Sequence, residues 1–217
     1  MASSLDKWAT IPSNPENAVG EVFSINGEYI DVFVYPEFLP QVKIGDIFAV
    51  EVDWGLAIGI ALNTSYRAQR SFRALKLSLE KIRREVPDIY RFHILLTRIA
   101  YTSKFENGIL EHVRGGTPML HSLTFKINSK DLLTTFFKPS GNWDLSFLEL
   151  YINAGATPNI IKHFFSNHRR VIMEIMTDQD QFINELVKVI RRIPKQNRLN
   201  YIEYIFEGLG WLYEGSR

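Results

Sequence analysis

Cysteine is absent from the 217 residues. That excludes disulfides, thiolate metal ligands and cysteine nucleophiles together, and it fits an intracellular protein. A dominant charge is also missing: 25 Lys and Arg face 24 Asp and Glu, a net charge of +1. The molecule as a whole is no electrostatic trap for nucleic acid, so any basic preference must be local. No apolar run approaches the ~20 residues that span a bilayer. Residues 1–17 (MASSLDKWATIPSNPEN) are polar and broken by proline, without the apolar core of a signal peptide. A cytoplasmic chain without membrane contact is expected, its first 17 residues a flexible arm. Trp8 and Ile11 can tuck from that arm onto the rest of the chain or a partner, and docking is the usual fate of a lone terminal Trp. Catalytic signatures are lacking too. There is no G-x-S-x-G elbow, no H-E-x-x-H helix and no dinucleotide glycine fingerprint.

What is present begins with residues 18–62 (AVGEVFSINGEYIDVFVYPEFLPQVKIGDIFAVEVDWGLAIGIAL), around which the rest is organised. Apolar positions such as Val32, Val34, Ile47 and Ala49 recur at period two. The run breaks at Asn26-Gly27, Pro36, Pro40, Gly45-Asp46 and Trp54-Gly55. Four or five short strands joined by turn residues predict a small antiparallel barrel or sandwich. Lys43-Ile44-Gly45-Asp46-Ile47 reads as a tight turn with Gly45 free to take positive φ.

A helix is expected over 65–85, opened by Asn63-Thr64-Ser65 and closed by Pro87, with Phe72, Leu75, Leu79, Ile82 and Val86 along one face. Its other face carries Arg67, Arg70, Arg73, Lys76, Lys81, Arg83 and Arg84 against Glu80 and Glu85. A solvated surface explains such a face, because Lys and Arg form helix well and stay wet. Phosphate or an acidic partner explains it as well, and the excess of Arg over Lys favours bidentate contacts. Arg67, Arg70, Arg73, Lys76, Arg83 and Arg84 are thus the candidate nucleic-acid or acidic-partner site.

Residues 89–100 read as a strand, Asn107-Gly108 as a hairpin turn and Gly115-Gly116-Thr117-Pro118 as a sharp turn. Residues 119–127 alternate again and would complete the barrel, with the basic helix as an insertion. From Ser129 the period becomes helical. Short helices are expected over 129–137, capped by Asn128 or Ser129, and over 143–153, then after Thr157-Pro158, after a cap at Asp178 or Thr177, and over 198–209. The chain therefore reads as α+β. It comprises an arm (1–17), a small antiparallel β-barrel with an inserted basic helix (18–128), and a C-terminal helical segment (129–217).

The order of these features resembles the HAS-barrel, the N-terminal barrel of HerA-type DNA translocases and of the rotary ATP synthase catalytic subunits. The residues that carry the likeness are Gly20-Glu21-Val22, Lys43-x-Gly45-Asp46, Gly59-Ile60, the Asn107-Gly108 hairpin, and Gly116-Thr117-Pro118 leading to His121 and a Leu/Phe-rich helix. A HerA-type motor follows its barrel with a P-loop ATPase, which needs G-x-x-x-x-G-K-[ST] to cradle phosphate. That pattern is absent. Gly115-Gly116 and Gly208-x-Gly210 precede neither Lys-Ser nor Lys-Thr. The resemblance implies a barrel without its motor that keeps the role of subunit contact and partner docking. On this reading the chain is a non-catalytic interaction and oligomerisation module, with itself, a HerA-type motor or a nuclease as partner, an adaptor in DNA-end processing. No cofactor is expected.

Other candidates come from the residues alone. His163 and His168 are five apart, the wrong spacing for two metal ligands on one helix face. His112 and His121 flank the Gly-Gly turn and could approach across a hairpin, while His93 stands alone. Asp31, Asp46, Glu51 and Asp53 sit near strand ends. They read as a solvent face, or as a Mg²⁺ site for phosphodiester hydrolysis. Phe23, Tyr29, Phe33 and Tyr35 could stack bases, though Phe33 and Tyr35 on one face read first as core. Trp211 and Tyr213, just past Gly210, are expected at the contact of a two-fold oligomer.

Overall fold

The computed structural model describes residues 4–68, 93–194 and 197–211. Among them are β1 (Gly20–Asn26), β2 (Tyr29–Val34), β3 (Ile47–Val52), β4 (Gly55–Ala68), β5 (His93–Glu106), β6 (Ile109–Glu111) and β7 (Leu123–Ile127). All pairings are antiparallel. The order β2-β1-β7-β3-β4-β5 closes through β2 against β5 into a six-stranded barrel, and β6 extends the far end of β5. The expected turns form where the residues permit them. Gly27-Glu28, just after Asn26, joins β1 to β2, Asp53-Trp54, just before Gly55, joins β3 to β4, and Asn107-Gly108, both at positive φ, joins β5 to β6.

The helices are α1 (Ser4–Ala9), α2 (Lys130–Phe137), α3 (Phe147–Asn153), α4 (Pro158–Ile175), α5 (Gln179–Arg192) and α6 (Arg198–Leu209). Their ends follow local chemistry. Ser129 accepts the Leu132 N–H, Pro158 opens α4 after Thr157, Asp178 accepts the Gln181 N–H, and left-handed Gly210 closes α6. The chain is α+β, a barrel followed by helices.

Two apolar clusters meet across β3 and β4. Val22, Ile30, Val32, Val34, Phe48, Val50, Ala57, Ala61 and Ile99 fill the barrel. The alternate residues Ile47, Ala49, Leu56, Ile58 and Ile60 point outward. There they join Phe136, Phe137, Trp143, Phe147, Tyr151, Phe164, Phe165 and Phe182 of the helical part in one continuous core. Burial on both faces explains why β4 reads as an unbroken apolar run.

Tyr151 ties the layers by donating to the Ala61 carbonyl at 2.6 Å. The Gly45 turn is the other joint. Gly45 has φ +84°, and a Cβ there would stand 2.7 Å from the Phe164 backbone, so only glycine lets α4 close onto the turn.

Two expectations are corrected. Ser65–Ala68 does not begin a helix. It continues β4, with Thr64, Ser65 and Arg67 opposite Thr97, Leu96 and Ile94 of β5, because pairing along a strand already in register outweighs a local capping signal. The rest of the expected basic helix lies outside the described residues. The arm is not loose as far as it is described: Ser4–Ala9 is helical, Ile11 packs on the core, and Trp8 is fully buried with its ring stacked on Phe105 at 6.2 Å. Lys7 also pairs with Asp131 of α2.

Candidate functional site

The outer face of β1 and β2 holds most of the residues singled out in the barrel. Val22, Ile30, Val32 and Val34 turn inward, so period two sends Glu21, Phe33 and Tyr35 outward. Phe23, at the irregularity between Val22 and Ser24, is 52% exposed. Phe33 and Tyr35 meet edge to face at 6.0 Å on this outer surface, partly buried, and are not the barrel core expected of them. The inward positions of β2 are filled by β-branched residues, whose compact shape fits a narrow barrel.

Residues 119–122 lie against this face. His121 donates its backbone N–H to the Val22 carbonyl at 2.9 Å, and Val22 donates to the Ser122 carbonyl at 3.0 Å. Ser122 closes the turn with its backbone N–H on the Met119 carbonyl and its hydroxyl accepting from the Met119 N–H. His121 takes φ +67°, a conformation that few non-glycine residues adopt. The turn leaves Met119 61% and Leu120 57% exposed. A groove of about 410 Å³ runs between Met119, Leu120, His121 and Ser122 on one side and Glu51, Val52 and Asp53 on the other.

Acids surround these apolar groups. His121 reaches Glu21 at 3.4 Å. Partial burial raises the Tyr35 hydroxyl above its usual range, and the charges of Glu21 and Glu37 push it further in the same direction. Glu21 and Glu37 thus set negative charge beside Tyr35.

The four barrel carboxylates are not gathered into a metal site. Asp31 accepts from Arg98 Nε at 2.9 Å and Nη2 at 3.2 Å and from Ser24 Oγ, while Arg98 lies 4.2 Å over the Tyr29 ring. The hydrogen bond to Asp31 raises the Arg98 pKa. Asp46 pairs with Lys126 at 2.7 Å and accepts the Lys43 N–H at 2.8 Å. Glu51 and Asp53 line the groove. Among the described residues no group of three or more His, Asp or Glu is placed to hold a metal ion.

The histidines separate in the same way. His163 is exposed while His168 is buried, its Nε2 donating to the Gly45 carbonyl at 3.1 Å. Burial lowers the His168 pKa to about 4 against the opposing pull of that carbonyl and Asp46. His112 turns away from exposed His121, its ring against Phe136 and Phe147. Its Nδ1 meets Ser103 Oγ at 2.7 Å, an arrangement that sequence spacing did not reveal. Burial lowers its pKa to about 4, countered by the Asp144 charge and the Phe136 and Asp144 carbonyls. Ser103, His112 and Asp144 invite comparison with a nucleophile triad. Ser103 has no exposed surface, however, and a nucleophile must meet its substrate. The Ser103–His112 bond ties β5 to the segment that follows β6.

Arg67 contributes a β4 backbone position, and Arg70, Arg73, Lys76, Arg83, Arg84 and Tyr213 lie outside the described residues. Trp211 packs within its own chain, 5.8 Å from Phe182 and 5.3 Å from Phe206. Among the described residues no helix is long and apolar enough to cross a membrane. No protein-family model matches the chain, and no curated protein matches it either.

Proposed function

We propose that this chain is a non-catalytic protein-interaction module, a cytoplasmic barrel of the HAS type that docks a partner through the outer face of β1 and the turn at 119–122. One observation carries the reading: Phe23, Met119 and Leu120, on adjoining segments, are each more than half exposed. Leaving such a side chain in water rather than burying it forgoes about 1.5–3 kcal/mol. Exposed large apolar side chains on adjoining segments of one small barrel are the kind of feature that marks a contact surface. The module would serve a motor or nuclease as an adaptor in DNA-end processing, or a second copy of itself.

The test compares wild type with the triple variant Phe23→Ser, Met119→Ser, Leu120→Ser by light scattering and by affinity capture from native extract. Loss of self-association or of a captured protein in the variant supports the reading. An unchanged mass and an unchanged set of captured proteins would count against it.

A further inference from the structure

We propose that the segment this face takes is basic, a stretch of partner protein in which Lys or Arg alternates with apolar residues. The inference rests on the interaction-module reading and deepens it. The groove between Glu51–Asp53 and Met119–Ser122 offers apolar contact on one wall and carboxylates on the other. Glu51 and Asp53 make no ion pair with any described cation, unlike Asp31, Asp46 and Glu28, which are bound to Arg98, Lys126 and Arg114. Glu21 adds a third acid, and its partner is His121, on an exposed turn. Among the described residues, the basic side chain that lines the groove is that same His121.

A molecule of near-zero net charge thus sets Glu51 and Asp53, without an ion pair among the described residues, beside the exposed Met119 and Leu120. An acidic or neutral partner would bury these carboxylates without compensation, which costs more than the apolar contact returns. A cationic segment pairs them, and the apolar residues between its cations cover Phe23, Met119 and Leu120. Nucleic acid supplies neither cation nor aliphatic surface. Charge of this kind sets register and association rate, so binding should weaken as salt rises.

The experiment uses the full chain and fluorescently labelled short peptides: alternating Lys and Leu, alternating Glu and Leu, and alternating Lys and Ser. A single-stranded oligonucleotide completes the set. The Lys/Leu peptide should bind at least about tenfold more tightly than the other three probes. The charge variant Glu51→Lys, Asp53→Lys should lose about tenfold of that affinity. Met119→Ser, Leu120→Ser should also weaken it, and since all four sites lie at the surface, thermal melting should report an intact fold for both variants. If the Glu/Leu peptide binds as well as Lys/Leu and only the apolar variant weakens it, the basic partner is refuted while the module stands. If neither variant alters any peptide's binding, both readings fall. Oligonucleotide binding that is lost in either variant also refutes the basic segment.

Discussion

At Gly45 the φ of +84° and the 2.7 Å that a Cβ would leave to the Phe164 backbone act together. Gly108 has a similar φ of +80° with nothing within 4 Å. Comparing alanine at the two positions therefore separates backbone strain from overpacking. Gly45→Ala should cost about 1–3 kcal/mol more than Gly108→Ala in urea denaturation; equal costs would mean that α4 yields freely at the turn. His112 and His168 set an acid limit. Each has a folded pKa near 4, below the value of about 6.5 in an unfolded chain. The unfolded chain therefore takes up protons first as pH falls. Their contribution is whole above about pH 6.5 and drains as the pH drops towards 4, by at most about 3 kcal/mol for each histidine. Denaturation midpoints measured between pH 7 and pH 4.5 should fall steadily, and histidine NMR should show two rings still neutral at pH 5. Two rings protonating near pH 6.5 in the folded protein would contradict the burial.

Among the elements, β4 and α3 carry the junction of barrel and helices. Tyr151→Phe removes the bond to the Ala61 carbonyl, which keeps the Gly45 N–H as a second partner at 2.9 Å. The cost should be about 1 kcal/mol, read from chemical denaturation, and a neutral outcome would show that apolar packing alone holds α3. Trp8 is the buried anchor of α1, beside partly buried Leu5 and the Lys7–Asp131 pair. Trp8→Ala should cost about 3–5 kcal/mol, because a fully buried ring stacked on Phe105 leaves a large void when it is removed. A loss under 1 kcal/mol would mean that α1 is dispensable. The Ser103–His112 bond lies on the same junction, fastening β5 against Phe136 and Phe147.

For the molecule as a whole, the continuous core from Ile47 and Ile58 to Phe164 and Phe182 predicts one cooperative transition. Far-UV circular dichroism and tryptophan fluorescence should melt together, and two separated midpoints would show barrel and helices unfolding independently. A fragment of residues 18–128 should aggregate, because the outward Ile47, Leu56, Ile58 and Ile60 lose their cover.

The sequence by itself determined what local chemistry controls. The turns at Asn26-Gly27, Gly45 and Asn107-Gly108 and the caps at Ser129, Pro158, Asp178 and Gly210 stand where their residues place them, since a cap or a positive φ needs only its neighbours. Period two also established which residues share a strand face. It did not establish which face is inside, because that depends on what packs against it. β2 therefore turns its valines inward and its aromatics out, and β4 is buried on both sides once the helices cover it. Only tertiary structure carried Ser65–Ala68 into the β4–β5 ribbon, seated Trp8, joined Ser103 to His112, and paired the 119–122 turn with β1 at Val22. Each of these joins residues through pairing or packing with another element, and the spacing of residues along a chain holds no record of such contacts.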